Sequence, residues 1–347
     1  MAEKYFAASN SSEGFCSYYS NVFNINNFSR IYAIKGGSGT GKAFFMKEIA
    51  KRAEERSYSV RYIYCSSDSS SLDGIIIKEL KIAVLDGTAP HVYEPHLVGA
   101  ADSIVNLGAF LNERALAPNR AEIERLNRLK QSGFERAYRY LGAYYTISRS
   151  IEEIVIPCLN MPKICAFANR LLKRIEKGKG KEENLLVNSI GMRGVSHFDT
   201  YLENSRIYYS INDYFDSAHI LLKEMYNLLK EKRVDVQISN NPIIKKRLDA
   251  LRIADSSLAF EINEYAPDGA RVINMKRFVY DEKLSEIKPK YRELDRARKE
   301  MLSLALKEFG DIKKHHFALE QIYGSAMDFE AKEQFTREFC NKIFEKN

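Results

Sequence analysis

The chain has 347 residues, 45% of them hydrophobic and 29% charged, with a formal net charge of +7. That length suffices for two ordinary domains with sizeable cores, and the balance excludes a disordered chain. Charges interrupt every apolar run, so no membrane-spanning helix is expected, and a mild positive excess without interleaved aromatics gives no expectation of nucleic acid. The five cysteines are scattered and odd in number, and the N-terminal Met1-Ala2-Glu3-Lys4-Tyr5 lacks the basic start and apolar core of a signal peptide. Both features lead to the expectation of a reducing, cytoplasmic setting. Cys158 and Cys165 stand in an apolar segment and read as core residues, and no Cys/His group has zinc-site spacing.

In chain order, the first strong element is an apolar strand over Arg30–Ile34. It runs into Gly36-Gly37-Ser38-Gly39-Thr40-Gly41-Lys42-Ala43, and a helical pattern follows from Lys42 to about Arg56. Strand, glycine loop and helix in this order are the context of a Walker A phosphate loop. Glycines let backbone N–H groups converge on a phosphate, the helix N-terminus adds partial positive charge, and Lys42 can reach the outer phosphates. Ala43 stands where Ser or Thr normally gives a hydroxyl to Mg²⁺, so this position bears on hydrolysis more than on binding. Ser38 and Thr40 are the hydroxyls that could replace it in part.

A second strand is expected at Val60–Tyr64. After it, Cys65-Ser66-Ser67-Asp68-Ser69-Ser70-Ser71-Leu72-Asp73-Gly74 reads as a loop, with Asp68 the better candidate for orienting water and Asp73 more structural. A third strand, Lys81–Leu85, ends at Asp86 in the Walker B manner, which makes Asp86 the candidate metal ligand. In the next loop, Thr88 and His91 could sense a terminal phosphate. Ile104–Leu107 reads as a fourth strand, and strands alternating with helices predict a parallel sheet covered on both faces. From Asn119 to Ile147 apolar residues recur at helical spacing, with Arg125, Arg128, Arg136 and Arg139 as candidate lid cations. Lys177-Gly178-Lys179-Gly180-Lys181 reads as a solvated linker.

Past that linker the chain repeats itself. At an offset of 176, Arg30-Ile31-Tyr32 falls on Arg206-Ile207-Tyr208, Val60 on Val236 and Leu72-Asp73 on Leu248-Asp249. Nearby offsets bring Ala89-Pro90 to Ala266-Pro267, and Asn106 and Phe110 to Asn274 and Phe278. Upstream, Ser11–Ser17 resembles Ile190–Ser196. The consistent order predicts a duplicated domain, with a boundary near 176–184, a nucleotide-binding domain over 1–178 and a second copy over 185–347. The second copy has Asn212–His219 in place of the phosphate loop, with Ala218 for Lys42 and Ile262 for Asp86. Long helices are expected there over Asp281–Gly310 and on toward Phe344.

Three stretches, Cys65-Ser66-Ser67-Asp68, Leu72-Asp73-Gly74 and Asp86-Gly87-Thr88-Ala89-Pro90-His91, together with Gly36–Ala43 and the duplication, resemble a family of uncharacterised bacterial tandem P-loop ATPases. The resemblance covers nearly the whole chain. It implies two tandem P-loop NTPase-like α/β domains and ATP binding through Gly36–Lys42. Members of that family typically carry a complete Walker A in both halves, and this chain departs mildly at Ala43 and wholly at 212–219. The expectation is therefore one ATP site with weak Mg²⁺-dependent hydrolysis, in which Asp86 holds the metal and Asp68 the water. The alternatives are a nucleotide-sensing scaffold, with a protein partner on the second domain or the helices, and a kinase-type phosphotransferase.

Overall fold

The computed structural model describes residues 3–344, so Met1 and Ala2 of the N-terminal segment read above lie outside the described residues. The first half runs β1 (Glu3–Phe6), a hairpin of β2 (Ala8–Ser11) and β3 (Gly14–Ser17), the single turn α1 (Tyr19–Val22), β4 (Arg30–Lys35), α2 (Lys42–Glu54), β5 (Val60–Tyr64), β6 (Leu72–Ile77), β7 (Ile82–Asp86), β8 (Asp102–Asn106), α3 (Glu113–Leu116), α4 (Arg120–Val155) and α5 (Met161–Leu171). The second half repeats the plan without a partner for α3: β9 (Glu182–Asn184), β10 (Asn188–Gly191), β11 (Gly194–His197), α6 (Thr200–Glu203), β12 (Ile207–Asn212), α7 (Ala218–Glu231), β13 (Val236–Asn240), β14 (Leu248–Ile253), β15 (Leu258–Asn263), β16 (Arg271–Asn274), α8 (Asp281–Ser325) and α9 (Phe329–Phe344). No helix among the described residues is long and apolar enough to cross a membrane.

Each half builds a six-stranded sheet of the same order, β1-β5-β6-β7-β4-β8 and β9-β13-β14-β15-β12-β16. The expected all-parallel sheets are in fact mixed. Strand β6 runs antiparallel to β5 and β7, and β14 antiparallel to β13 and β15. The cause is connection length. A parallel neighbour needs a crossover of a dozen or more residues, whereas only Lys78–Lys81 join β6 to β7, and the chain reverses there with Lys81 at φ +52°. Leu72–Gly74, read above as loop, is the start of β6, buried along its whole length.

The repeat also shifts register at its first central strand. Lys81 and Ser257, both at positive φ, accept the same pair of backbone bonds, from Ser29 and Arg30 in one half and from Arg206 and Ile207 in the other. Arg30 therefore matches Ile207, not Arg206. The offset of 177 puts Ile31 and Tyr208 on the faces that meet between the sheets, while Tyr32 and Tyr209 face outward to the helices that cover the two sheets.

The halves exchange their last helices. Ile164, Ala168 and Leu172, of α5 and its C-terminal end, share a buried cluster with Leu221, Met225 and Phe260 of the second half. Phe339, Cys340 and Ile343 of α9 share one with Tyr32, Phe45 and Ile49 of the first. A third cluster, including Ile31, Ala83, Tyr208 and Ala259, glues sheet to sheet. The long helices α4 and α8 pack together over Ala137, Leu141, Ala305 and Phe309, fully buried, and extend well beyond the ends expected from periodicity.

Candidate functional site

The loop from β4 to α2 turns on Gly39 (φ +74°) and Gly41 (φ +77°), in a region that residues with a side chain rarely adopt. Its outer side is closely packed. A Cβ on Gly39 would stand 2.6 Å from the carbonyl oxygen of Glu320 on α8. Among the described residues, the amides of Lys42, Ala43 and Phe44 find no acceptor in the loop, and the first bond of the helix runs from Phe45 N to Gly41 O. The N-terminus of α2 thus presents unsatisfied donors, the arrangement that favours an anion. Thr40 Oγ1 donates to Gly37 O (2.9 Å) and is fully buried, so its hydroxyl is committed to the loop. Ser38 Oγ is buried without a hydrogen-bond partner among the described residues.

Lys42 folds back over the loop. Its Nζ donates to Gly36 O and Gly37 O, both at 2.9 Å, and stands 3.5 Å from Asp86 Oδ2. Asp86 ends β7, the parallel neighbour of β4, directly opposite Ile34. Its Oδ1 accepts from Thr88 N (2.9 Å) and Thr88 Oγ1 (2.5 Å). Burial raises the Asp86 pKa above the usual carboxylate range, against the pull of Lys42 and Thr88.

A cavity of about 960 Å³ opens from the loop Gly36–Ala43 and is walled by both halves. Asp68 lines it, but its charge is already engaged: Oδ1 accepts from Ser70 N (3.1 Å) and Ser70 Oγ (2.8 Å) and pairs with the guanidinium of Arg193, on the second half's hairpin turn. Burial opposes that charge, yet the bonds from Arg193 and Ser70 prevail and lower the pKa. The hairpin is fixed there by Met192 N donating to Ser67 O and Ser189 Oγ donating to Ser66 O, each 2.8 Å.

Two features of the cavity were not read from the sequence. Asp73, expected to be more structural, pairs with His91: its Oδ2 stands 3.0 Å from His91 Nε2, the His91 ring stacks on Tyr19 at 4.3 Å, and His91 Nδ1 is buried without a hydrogen-bond partner among the described residues. Lys130 on α4 reaches the cavity, with Nζ 3.2 Å from Nδ1 of His316, which in turn lies 3.4 Å from Glu320. Burial lowers the Lys130 pKa below the usual lysine range, and nearby Lys42 adds to this against Glu320. The arginines singled out by sequence do not line the cavity: Arg125 pairs with Glu122 and Arg136 with Glu308, and all four are exposed. The signal that finds Lys130 is its position in the apolar stripe of Leu126, Phe134 and Tyr138, where a cation is out of place.

No cluster of three potential metal ligands occurs among the described residues. Mg²⁺ commonly takes one or two carboxylates and completes its shell with phosphates and water. Asp86 is the carboxylate beside Lys42 that would supply such a contact to a phosphate-bound Mg²⁺. No protein-family model, curated protein or solved structure matches the chain.

Proposed function

We propose that the first half binds ATP on Gly36–Ala43 and turns it over slowly. The observation that carries this reading is the convergence of Lys42, at the start of α2, and Asp86, at the end of β7, 3.5 Å apart beside helix amides that find no acceptor among the described residues. Lys42 and the amides would take the phosphates, and a bound Mg²⁺ on Asp86 would neutralise charge on them. Hydrolysis then consists of water attacking the γ-phosphorus as the bond to ADP breaks. Ala43 withholds the usual hydroxyl from that metal, which is the reason to expect a low rate.

A nucleotide-sensing scaffold is the second reading. It is favoured by the composition of the cavity wall, in which Met192, His316 and Glu320 come from the second half. Phosphate release measured on wild type, Asp86→Asn and Ala43→Ser separates the two. Slow turnover that falls at least tenfold in Asp86→Asn and rises in Ala43→Ser supports the ATPase reading. ATP binding with no turnover in wild type or Ala43→Ser leaves the scaffold.

A further inference from the structure

The second half has no phosphate loop, yet it holds anions of its own where one would lie. Asp213, at the start of the degenerate loop, accepts at Oδ1 from the amides of Ser217 (2.9 Å) and Ala218 (2.8 Å), the first donors of α7. Asp216, in the same loop, stands 2.8 Å from Arg298 and 2.7 Å from Arg247. Two carboxylates thus fill the place that phosphates would take, one on the helix amides and one under guanidinium groups. Arg298 is itself nine-tenths buried and comes from the long helix α8.

The internal symmetry relates this arrangement to the first half. Ile34 lies opposite Val105 in one sheet, and Ile211 opposite Ile273 in the other, which sets the offset beyond the last strand at 168. The same offset pairs the short helices Leu107–Phe110 and Met275–Phe278, and the buried contacts Ala137 with Ala305 and Leu141 with Phe309. It matches Lys130 with Arg298. In the second half the long-helix cation meets a carboxylate on the loop. In the first half the loop is glycine-rich and carries no carboxylate, and Lys130 has no salt-bridge partner among the described residues.

Resting on the nucleotide reading above, we infer that Lys130 is the long-helix ligand of the terminal phosphate, taking from the nucleotide the negative charge that Arg298 takes from Asp216. With His316 Nδ1 as the acceptor, an ammonium at Lys130 Nζ spends one N–H on that 3.2 Å contact and keeps two for the anion. Because His316 lies on α8, the contact ties both long helices, one from each half, to the presence of a third phosphate. ATP and ADP would then differ in how firmly α4 and α8 are held over the loop.

The test is calorimetric titration of ATP and ADP, each with Mg²⁺, into wild type, Lys130→Gln and Lys130→Arg. The expected result is a preference of wild type for ATP over ADP that drops about ten- to a hundredfold in Lys130→Gln, as for loss of one charged hydrogen bond. ADP affinity should change by less than about threefold, and Lys130→Arg should keep most of the preference, which also controls for folding. If wild type binds both nucleotides and the ATP-to-ADP ratio is unchanged in Lys130→Gln, the assignment of Lys130 fails while the nucleotide site stands. If wild type binds neither, the nucleotide reading fails and the assignment falls with it.

Discussion

Removing one ring from the C-terminal helix should loosen the opposite half of the molecule. Phe339 on α9 lies against Tyr32 at 4.9 Å and Phe45 at 5.1 Å, ring centre to ring centre, and is 7% exposed. Tyr32 belongs to β4 and Phe45 to α2, the two elements that flank the glycine loop. Truncation of a buried Phe to Ala costs about 3–5 kcal/mol through lost burial and the cavity left behind. Against a typical domain stability of roughly 5–15 kcal/mol, that is enough to favour local opening of the element concerned. Hydrogen exchange read by mass spectrometry locates the loss. In Phe339→Ala, amides of residues 30–54 should exchange faster, while those of 207–231, which span β12 and α7 and share a cluster with α5, should change little. Faster exchange in 207–231 with 30–54 unaffected would refute the helix exchange and the packing argument behind it.

Three further outcomes follow from particular contacts. Glu261 is almost fully buried, accepts from Tyr208 at 2.9 Å, and burial pushes its pKa up to about 8. A raised folded-state value means that stability is fully present below the unfolded value near 4.5 and is lost as pH rises through about 8. Urea unfolding should therefore show a loss of about 2–3 kcal/mol between pH 6 and 8, and a flat profile there in Glu261→Gln would identify the group; the same slope in both proteins would contradict it. Gly39→Ala should destabilise by at least about 1–2 kcal/mol, since it combines left-handed backbone with a clash on the Glu320 carbonyl, and a melt equal to wild type would count against the packing of α8 on the loop. Gly191→Ala should have a similar sign, because its Cβ would stand 2.6 Å from the carbonyl oxygens of Ser66 and Ser67, and limited proteolysis of the 65–71 loop should speed up; an unchanged digestion rate would mean that the hairpin does not brace that loop.

Much of the architecture was readable because local chemistry decided it. The strand at Arg30–Ile34, the glycine loop and the helix from Lys42 follow from apolar runs and from φ-tolerant glycines, and the duplication follows from residue order. What escaped reading was decided by tertiary contact. Leu72–Gly74 looks like turn sequence, but a short reversal at Lys78–Lys81 lays it down as an antiparallel strand. Periodicity in α5 and α9 says that one face is buried and not which sheet buries it, so their exchange between halves left no local trace. At the cavity, Asp68 looked freer than Asp73. Only the fold brings Arg193 onto Asp68, across 125 positions of sequence, and His91 onto Asp73.

The most direct test of the account is calorimetric titration of ATP into wild type and Lys42→Ala, each with Mg²⁺ and with EDTA. The account predicts one site per chain in wild type, tighter with Mg²⁺, and weakened about ten- to a hundredfold or lost in Lys42→Ala. No binding to wild type, or two equivalent sites per chain despite the carboxylates at Asp213 and Asp216, would contradict it.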